Sequence, residues 1–226
     1  MVINQIFYSL QGEGFLAGVP SVFIRMAGCP LRCRWCDTKY AWDTTAGKNY
    51  SIEDIVRTVG QWPSKFVIIT GGEPMINHHL PELTRQLKSC DKHITIETAG
   101  IVFVPAIACD LMSISPKLSN SAPVDAELDA AHERNRLNIS TLTELIDNYQ
   151  YQLKFVVESA RDLPEIQKTI EKIGNVDSAK VMLMPQAVTK EKFLTTAPMV
   201  ADMCKRSGFA FGQRLQVLLW NNEIGT

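Results

Sequence analysis

Two hydrophobic periods alternate along this chain. Short, nearly continuous apolar runs read as strands, and stretches with apolar residues three and four apart read as helices. Residues 19–28 (VPSVFIRMAG) have the β-branched and aromatic content of a strand. Residues 51–62 predict a helix: Ser51 is a good N-cap, Glu53 and Asp54 sit in the first turn, and Ile52, Ile55, Val56 and Val59 repeat on one side. FVIIT (66–70) reads as a strand buried on both faces, and 80–89 as an amphipathic helix with Pro81 in its first turn. The alternation continues with strands 93–98 and 110–115, helix 140–149, strand 153–157, helix 160–173, strand 180–185, helix 189–207 and strand 214–220. Strands alternating with helices predict an α/β fold with a mostly parallel sheet, and about seven strands suit an incomplete (β/α) barrel. Residues 117–138 are polar with only a weak helical period, and read as a surface excursion, a decorative loop rather than a lid.

Composition narrows the classes. At 226 residues the chain suits one domain with its own core. With 46% apolar and 21% charged residues it is globular rather than disordered. A net charge of −1 provides no positive field for nucleic acid. No apolar run reaches the roughly 18 residues of a bilayer crossing, and the start (MVINQIFYSLQGEG) lacks a basic region followed by an apolar stretch. A cytoplasmic protein is expected, in which cysteines are not a disulfide framework. Of the six cysteines, Cys29, Cys33 and Cys36 fall within eight residues. Cys90, Cys109 and Cys204 are scattered, and read as buried apolar side chains.

In a parallel barrel, reacting groups gather at the carboxyl ends of strands. Polar segments punctuate those ends here: GCPLRCRWCDTKY (28–40), GGEP (71–74), ETAG (97–100), SPK (115–117) and PQ (185–186). The cysteines are spaced C-x3-C-x2-C, and thiolates suit zinc or an iron–sulfur cluster. A structural zinc would want a fourth ligand nearby. The nearest other cysteine is Cys90, and His78, His79, His93 and His132 form no matching pair. Three ligands from one loop therefore point to a metal centre with an open position, with Arg32, Arg34 and Trp35 available to shield it. In GGEP, glycines allow close backbone approach, Glu73 offers an acceptor and Pro74 fixes the turn, although the segment alone also fits an ordinary turn.

The triad together with GGEP resembles the radical S-adenosylmethionine (SAM) superfamily. SLQGEG (9–14), FIRMAGCPLRCRWCDT (23–38), TGGEP, ETAG and SPK together resemble the 7-carboxy-7-deazaguanine synthase family of queuosine and deazapurine biosynthesis. The resemblance implies an incomplete (β/α) barrel of the radical SAM type. It also implies conversion of 6-carboxy-5,6,7,8-tetrahydropterin to 7-carboxy-7-deazaguanine with loss of ammonia, through a cofactor-derived radical and no protein acid or base. By the same resemblance, Cys29, Cys33 and Cys36 hold a [4Fe–4S] cluster and Thr38 ligates Mg2+. Leu10, Gln11, Gly12, Glu13, Arg25, Thr70 and Glu97 meet the pterin. Gly71, Gly72, Glu73, Ser115, Pro116, Lys117 and Gln186 meet SAM.

Each residue also has a plainer reading: Thr38 as a turn residue, Arg25 as an outward charge, Lys117 as a solvated lysine, Gln186 as a rim hydrogen bonder. Some relatives carry a substrate-touching histidine near the last strand. Trp220 aligns there, so either this region holds the pterin by stacking or a different group serves. A flavodoxin-like electron donor and a homodimer are further implied. Two other readings remain, a glycyl-radical-enzyme activating enzyme and a zinc or iron–sulfur scaffold.

Overall fold

The computed structural model describes residues 1–226. In chain order its strands are β1 (Val2–Leu10), β2 (Pro20–Met26), β3 (Lys48–Asn49), β4 (Phe66–Gly71), β5 (His93–Thr98), β6 (Leu111–Ile114), β7 (Tyr151–Val157), β8 (Val181–Pro185) and β9 (Ala210–Phe211). The helices are α1 (Ile52–Val59), α2 (Leu80–Ser89), α3 (Ala126–Asn135), α4 (Ile139–Asn148), α5 (Leu163–Ile173), α6 (Lys190–Ser207) and α7 (Leu215–Trp220). One sheet runs β3-β1-β2-β4-β5-β6-β7-β8-β9, parallel from β2 onward and antiparallel at β1 and β3. Its ends do not meet, so the barrel is incomplete, as the alternation predicts. No helix is long and apolar enough to cross a membrane.

Alternation along each strand separates two environments. Val22, Ile24 and Met26 of β2, Val67 and Ile69 of β4, Ile94 and Ile96 of β5, and Leu153, Phe155 and Val157 of β7 join one core. Ile55 and Val59 of α1, and Leu80, Leu83 and Leu87 of α2, cover that outer face. The residues between them in the strands, including Arg25, Thr70, Glu97, Ser113 and Lys154, point to the concave side. Local signals place the helices: Ser51 caps α1 by accepting from the Asp54 backbone N–H at 3.0 Å, as expected.

Three expectations are corrected. Residues 214–220 are not a strand: β9 is two residues long, and the VLLW run lies in α7. Only Val217 of that helix is buried, against Ala187 and Phe193. A short apolar run cannot distinguish strand from helix by period alone. The segment 117–138 is not a bare loop, since it contains α3, capped by Asp125. Cys90 is exposed rather than buried, because it is the C-cap of α2 at the turn into β5. No element was expected over 2–10, where a bulge between Ile3 and Gln5 interrupts the alternation of β1.

Candidate active site

The loop after β2 carries Cys29, Cys33 and Cys36 to one wall of a cavity of about 270 Å³ at the carboxyl ends of the strands. Leu31, Ala99 and Ile101 pack around the sulfurs. Burial pushes the Cys29 thiol up to about 12 and the Cys33 thiol up to about 11, and raises that of Cys36. Lys117 opposes this rise at Cys33 and Cys36 without cancelling it, and three such soft donors suit a metal partner, which would displace their protons. No three His, Cys, Asp or Glu side chains gather round one point as a closed zinc site requires. The donor set fits a polynuclear cluster. Arg32 and Arg34 do not face the cavity: Arg32 donates to the Cys29 and Leu31 carbonyls, and Arg34 pairs with Glu158. Trp35 does line it.

The end of β4 lies directly against this loop. Gly72 N–H donates to Met26 O at 3.0 Å and Glu73 N–H to Gly28 O at 2.8 Å. A Cβ at Gly72 would stand 2.0 Å from Gly28 O, and one at Gly71, whose φ is +136°, 2.2 Å from Met26 O. Only glycine permits that approach. Gly71 and Gly72 line the cavity.

The Glu73 carboxylate does not, which corrects the expectation that it offers the cofactor an acceptor. It is 1% exposed and accepts from Met75 N–H (3.0 Å), Thr98 Oγ1 (2.7 Å) and Ala99 N–H (2.7 Å). Burial raises its pKa despite these donors. Its role is to tie the β4 and β5 loops together. Pro116 is likewise buried and outside the lining.

Opposite the cysteines, the concave face holds a charged network. Lys154, on β7, bridges Glu13 Oε2 at 2.9 Å and Glu97 Oε2 at 2.8 Å. Gln11 Nε2 donates to Glu97 Oε1 at 3.0 Å. Arg214 Nε and Gln216 Nε2 donate to Glu13 Oε1 at 3.0 and 2.9 Å, and Arg214 also pairs with Asp37. Burial would raise the Glu13 pKa, but Lys154 and Arg214 outweigh it and hold the carboxylate well below its ordinary range. Burial would lower the Lys154 pKa, yet Glu97 and Glu13 raise it. Both stay charged in the interior because each is paired.

Arg25 is different. Its guanidinium lies 5.5 Å from the Phe7 ring centroid and 5.7 Å from that of Tyr40. Its Nε is buried with no partner, and its Nη1 donates a long hydrogen bond to Thr38 Oγ1 at 3.5 Å. It is not an outward strand charge. Thr38 does not use its hydroxyl to cap the following turn; Oγ1 donates to Asp37 Oδ1 at 2.8 Å on the cavity wall. Lys117 is not a solvated lysine, since its ammonium donates to Ser115 O and Oγ, both at 2.7 Å. Leu10, Gly12, Thr70, Ser115, Lys117 and Gln186 all line the cavity.

Trp220 does not line it, and the stacking expectation falls. It flanks a separate groove beside Tyr8, Leu10 and Pro20. The last segment reaches the site instead through Arg214 and Gln216 and through residues 222–226.

Sequence reasoning missed Lys154, Arg214, Gln216 and Asp37. Lys154 had a detectable signal, because Gln152 and Lys154 alternate with buried apolar residues in β7 and so share a face. Arg214 and Gln216 had none, since their strand assignment was wrong.

Residues 23–118 match the model of the Radical SAM superfamily. Over its whole length the chain is 41% identical to 7-carboxy-7-deazaguanine synthase of Rhodopirellula baltica, covering 89% of that protein. It is 38% identical to the synthase of Halobacterium salinarum, with 99% of this chain and 92% of that one aligned. The crystal structure of QueE from Escherichia coli superposes with a TM-score of 0.71 at 25% identity, covering 93% of this chain and 92% of that one.

Proposed function

The chain belongs to the 7-carboxy-7-deazaguanine synthase family of radical SAM enzymes, and from that premise we propose how its own residues serve the reaction. The substrate is 6-carboxy-5,6,7,8-tetrahydropterin, whose ring contracts to 7-carboxy-7-deazaguanine with loss of ammonia. Cys29, Cys33 and Cys36 would hold a [4Fe–4S] cluster. Gly71, Gly72, Ser115, Lys117 and Gln186 line the place for SAM. When bound, cluster and SAM supply the reducing electron and the 5′-deoxyadenosyl radical that starts the rearrangement.

The observation that carries the substrate assignment is the polarity of the cavity. Arg25 is a half-buried cation whose Nε is buried without a partner, so a carboxylate there gains a charge-assisted hydrogen bond at little new desolvation cost. At the other end Glu13 and Glu97 are fixed by Lys154, Gln11 and Gln216, and their remaining lone pairs suit the N–H donors of a guanidine-like ring edge. A pterin with a carboxylate at the far side of its ring complements both ends. Thr70 pairs in register with Arg25 and borders the space between. Thr38 Oγ1 and Asp37 present hard oxygens beside Arg25, a fit for Mg2+ held partly by the substrate carboxylate and water. An electron donor of the flavodoxin type, a homodimer and a cytoplasmic location complete the reading.

The test is anaerobic reconstitution with iron and sulfide, then turnover of the carboxytetrahydropterin with SAM, reductant and Mg2+. Carboxydeazaguanine should accumulate and should depend on Mg2+. Formation of 5′-deoxyadenosine only in the presence of a second polypeptide would overturn the reading.

A further inference from the structure

The polar segment after β6 grips the cysteine loop at every residue between Cys33 and Cys36, and at one just before Cys33. Arg32 N–H donates to His132 Nδ1 at 3.1 Å. Arg34 N–H donates to Ser121 O at 3.0 Å, and Arg34 Nε to Asn120 O at 2.8 Å. Trp35 Nε1 donates to the same Asn120 carbonyl at 3.0 Å. The segment is anchored in turn to the barrel: Asn120 Nδ2 donates to Val156 O and Asp162 Oδ2, both at 3.0 Å, and Arg136 joins Lys117 O to Glu165.

His132 stands at the centre of this arrangement, on α3, and is 1% exposed. A backbone N–H can only donate, so Nδ1 must be the acceptor and the neutral ring carries its proton on Nε2. Nε2 then donates to Ser121 Oγ at 2.9 Å, and that hydroxyl donates to Leu118 O at 2.6 Å. The chain of bonds has one direction and no free end. A histidine buried in a helix of otherwise weak amphipathic character, with both nitrogens committed, is not decoration.

We propose that residues 118–136 are a clamp on the cysteine loop, pinned by His132, that fixes the spacing of the three sulfurs and so sets how firmly an iron–sulfur cluster is retained. The inference rests on the reading that this loop carries the cluster. Three ligands on one eight-residue loop define a cluster site only if the loop has one conformation. Partners that orient metal ligands commonly govern affinity 10- to 100-fold.

The test uses the full chain, reconstituted anaerobically and then challenged with an iron chelator, with cluster loss followed by its visible absorption and by electron paramagnetic resonance. His132→Ala should release iron about 10- to 100-fold faster than the wild type. His132→Asn, which keeps an acceptor near the Nδ1 position, should recover part of that loss. Trp35→Phe removes the Nε1–H bond to Asn120 O and keeps an aromatic ring, leaves α3 untouched, and should release iron a few-fold faster. The circular dichroism and thermal midpoint of each apo-protein report any general loss of structure. Release rates equal to wild type in all three variants would overturn the clamp, and if His132→Ala does not fold, Trp35→Phe decides. A wild-type chain that never assembles a cluster would overturn the reading beneath the clamp, a result distinct from equal rates.

Discussion

The two faces of the same strands are built on opposite principles. On the outer face Ile24, Ile69, Ile96 and Phe155 are fully buried among aliphatic side chains of the flanking helices. Their attraction is non-directional, so neighbours share the load and no one pair specifies the fold. On the concave face, one residue away from Ile96 and Phe155, Glu97 and Lys154 form a directed ion pair whose breaking leaves a bare charge. The outer face stabilises, while the inner face holds a binding geometry that a hydrophobic lining would not provide. Among the buried carboxylates the contrast repeats: Glu13 is held ionised by two cations, whereas Glu73, which accepts only from hydroxyl and backbone donors, is pushed toward its neutral form by burial.

Lys154→Met is the largest test of this contrast. It leaves Glu13 and Glu97 without their shared cation, and should cost about 3–5 kcal/mol in urea unfolding together with pterin binding. A loss below about 1 kcal/mol would show that the network is solvated rather than dry. Ile96→Ala, on the opposite face of the strand that carries Glu97, should cost about 2–5 kcal/mol by cavity formation, with pterin affinity unchanged in the folded protein.

Arg25→Met should reverse that pattern. Unfolding free energy should stay level or rise, because a half-buried cation with an unpartnered N–H is removed, while pterin affinity falls roughly tenfold or more, measured by equilibrium dialysis. Glu13→Gln gives a smaller, pH-dependent effect. The folded state lowers the pKa of Glu13 from 4.5, so its stabilisation is complete above about that pH and fades as pH falls below it. The wild-type advantage over Glu13→Gln should therefore be present at pH 7 and shrink in acid, and a pH-independent difference would contradict the ion-pair account. Smallest of all, Trp220→Ala should leave pterin affinity unchanged, since the ring lies outside the cavity.

Most elements from residue 19 to 207 were legible in sequence because helix and strand periods are local properties of a dozen residues. The cysteine loop and the glycine pair were legible for the same reason: each packs its chemistry into one short segment. The exceptions share a cause. Residues 214–220 carry an apolar run too short to show its period, and β1 conceals its alternation behind a bulge. The role of 117–138 rests on one histidine that meets a backbone N–H a hundred positions away.

The chain alone therefore determined the α/β architecture, the three-sulfur loop and the family resemblance, all written in short-range pattern. Tertiary structure decided which polar groups meet. Glu13 reaches Lys154 across 141 positions and Arg214 across 201, and Lys154 reaches Glu97 across 57. Such pairs leave no local periodicity, because they exist only once the curled sheet turns one face of its strands inward and burial makes each charge depend on a partner.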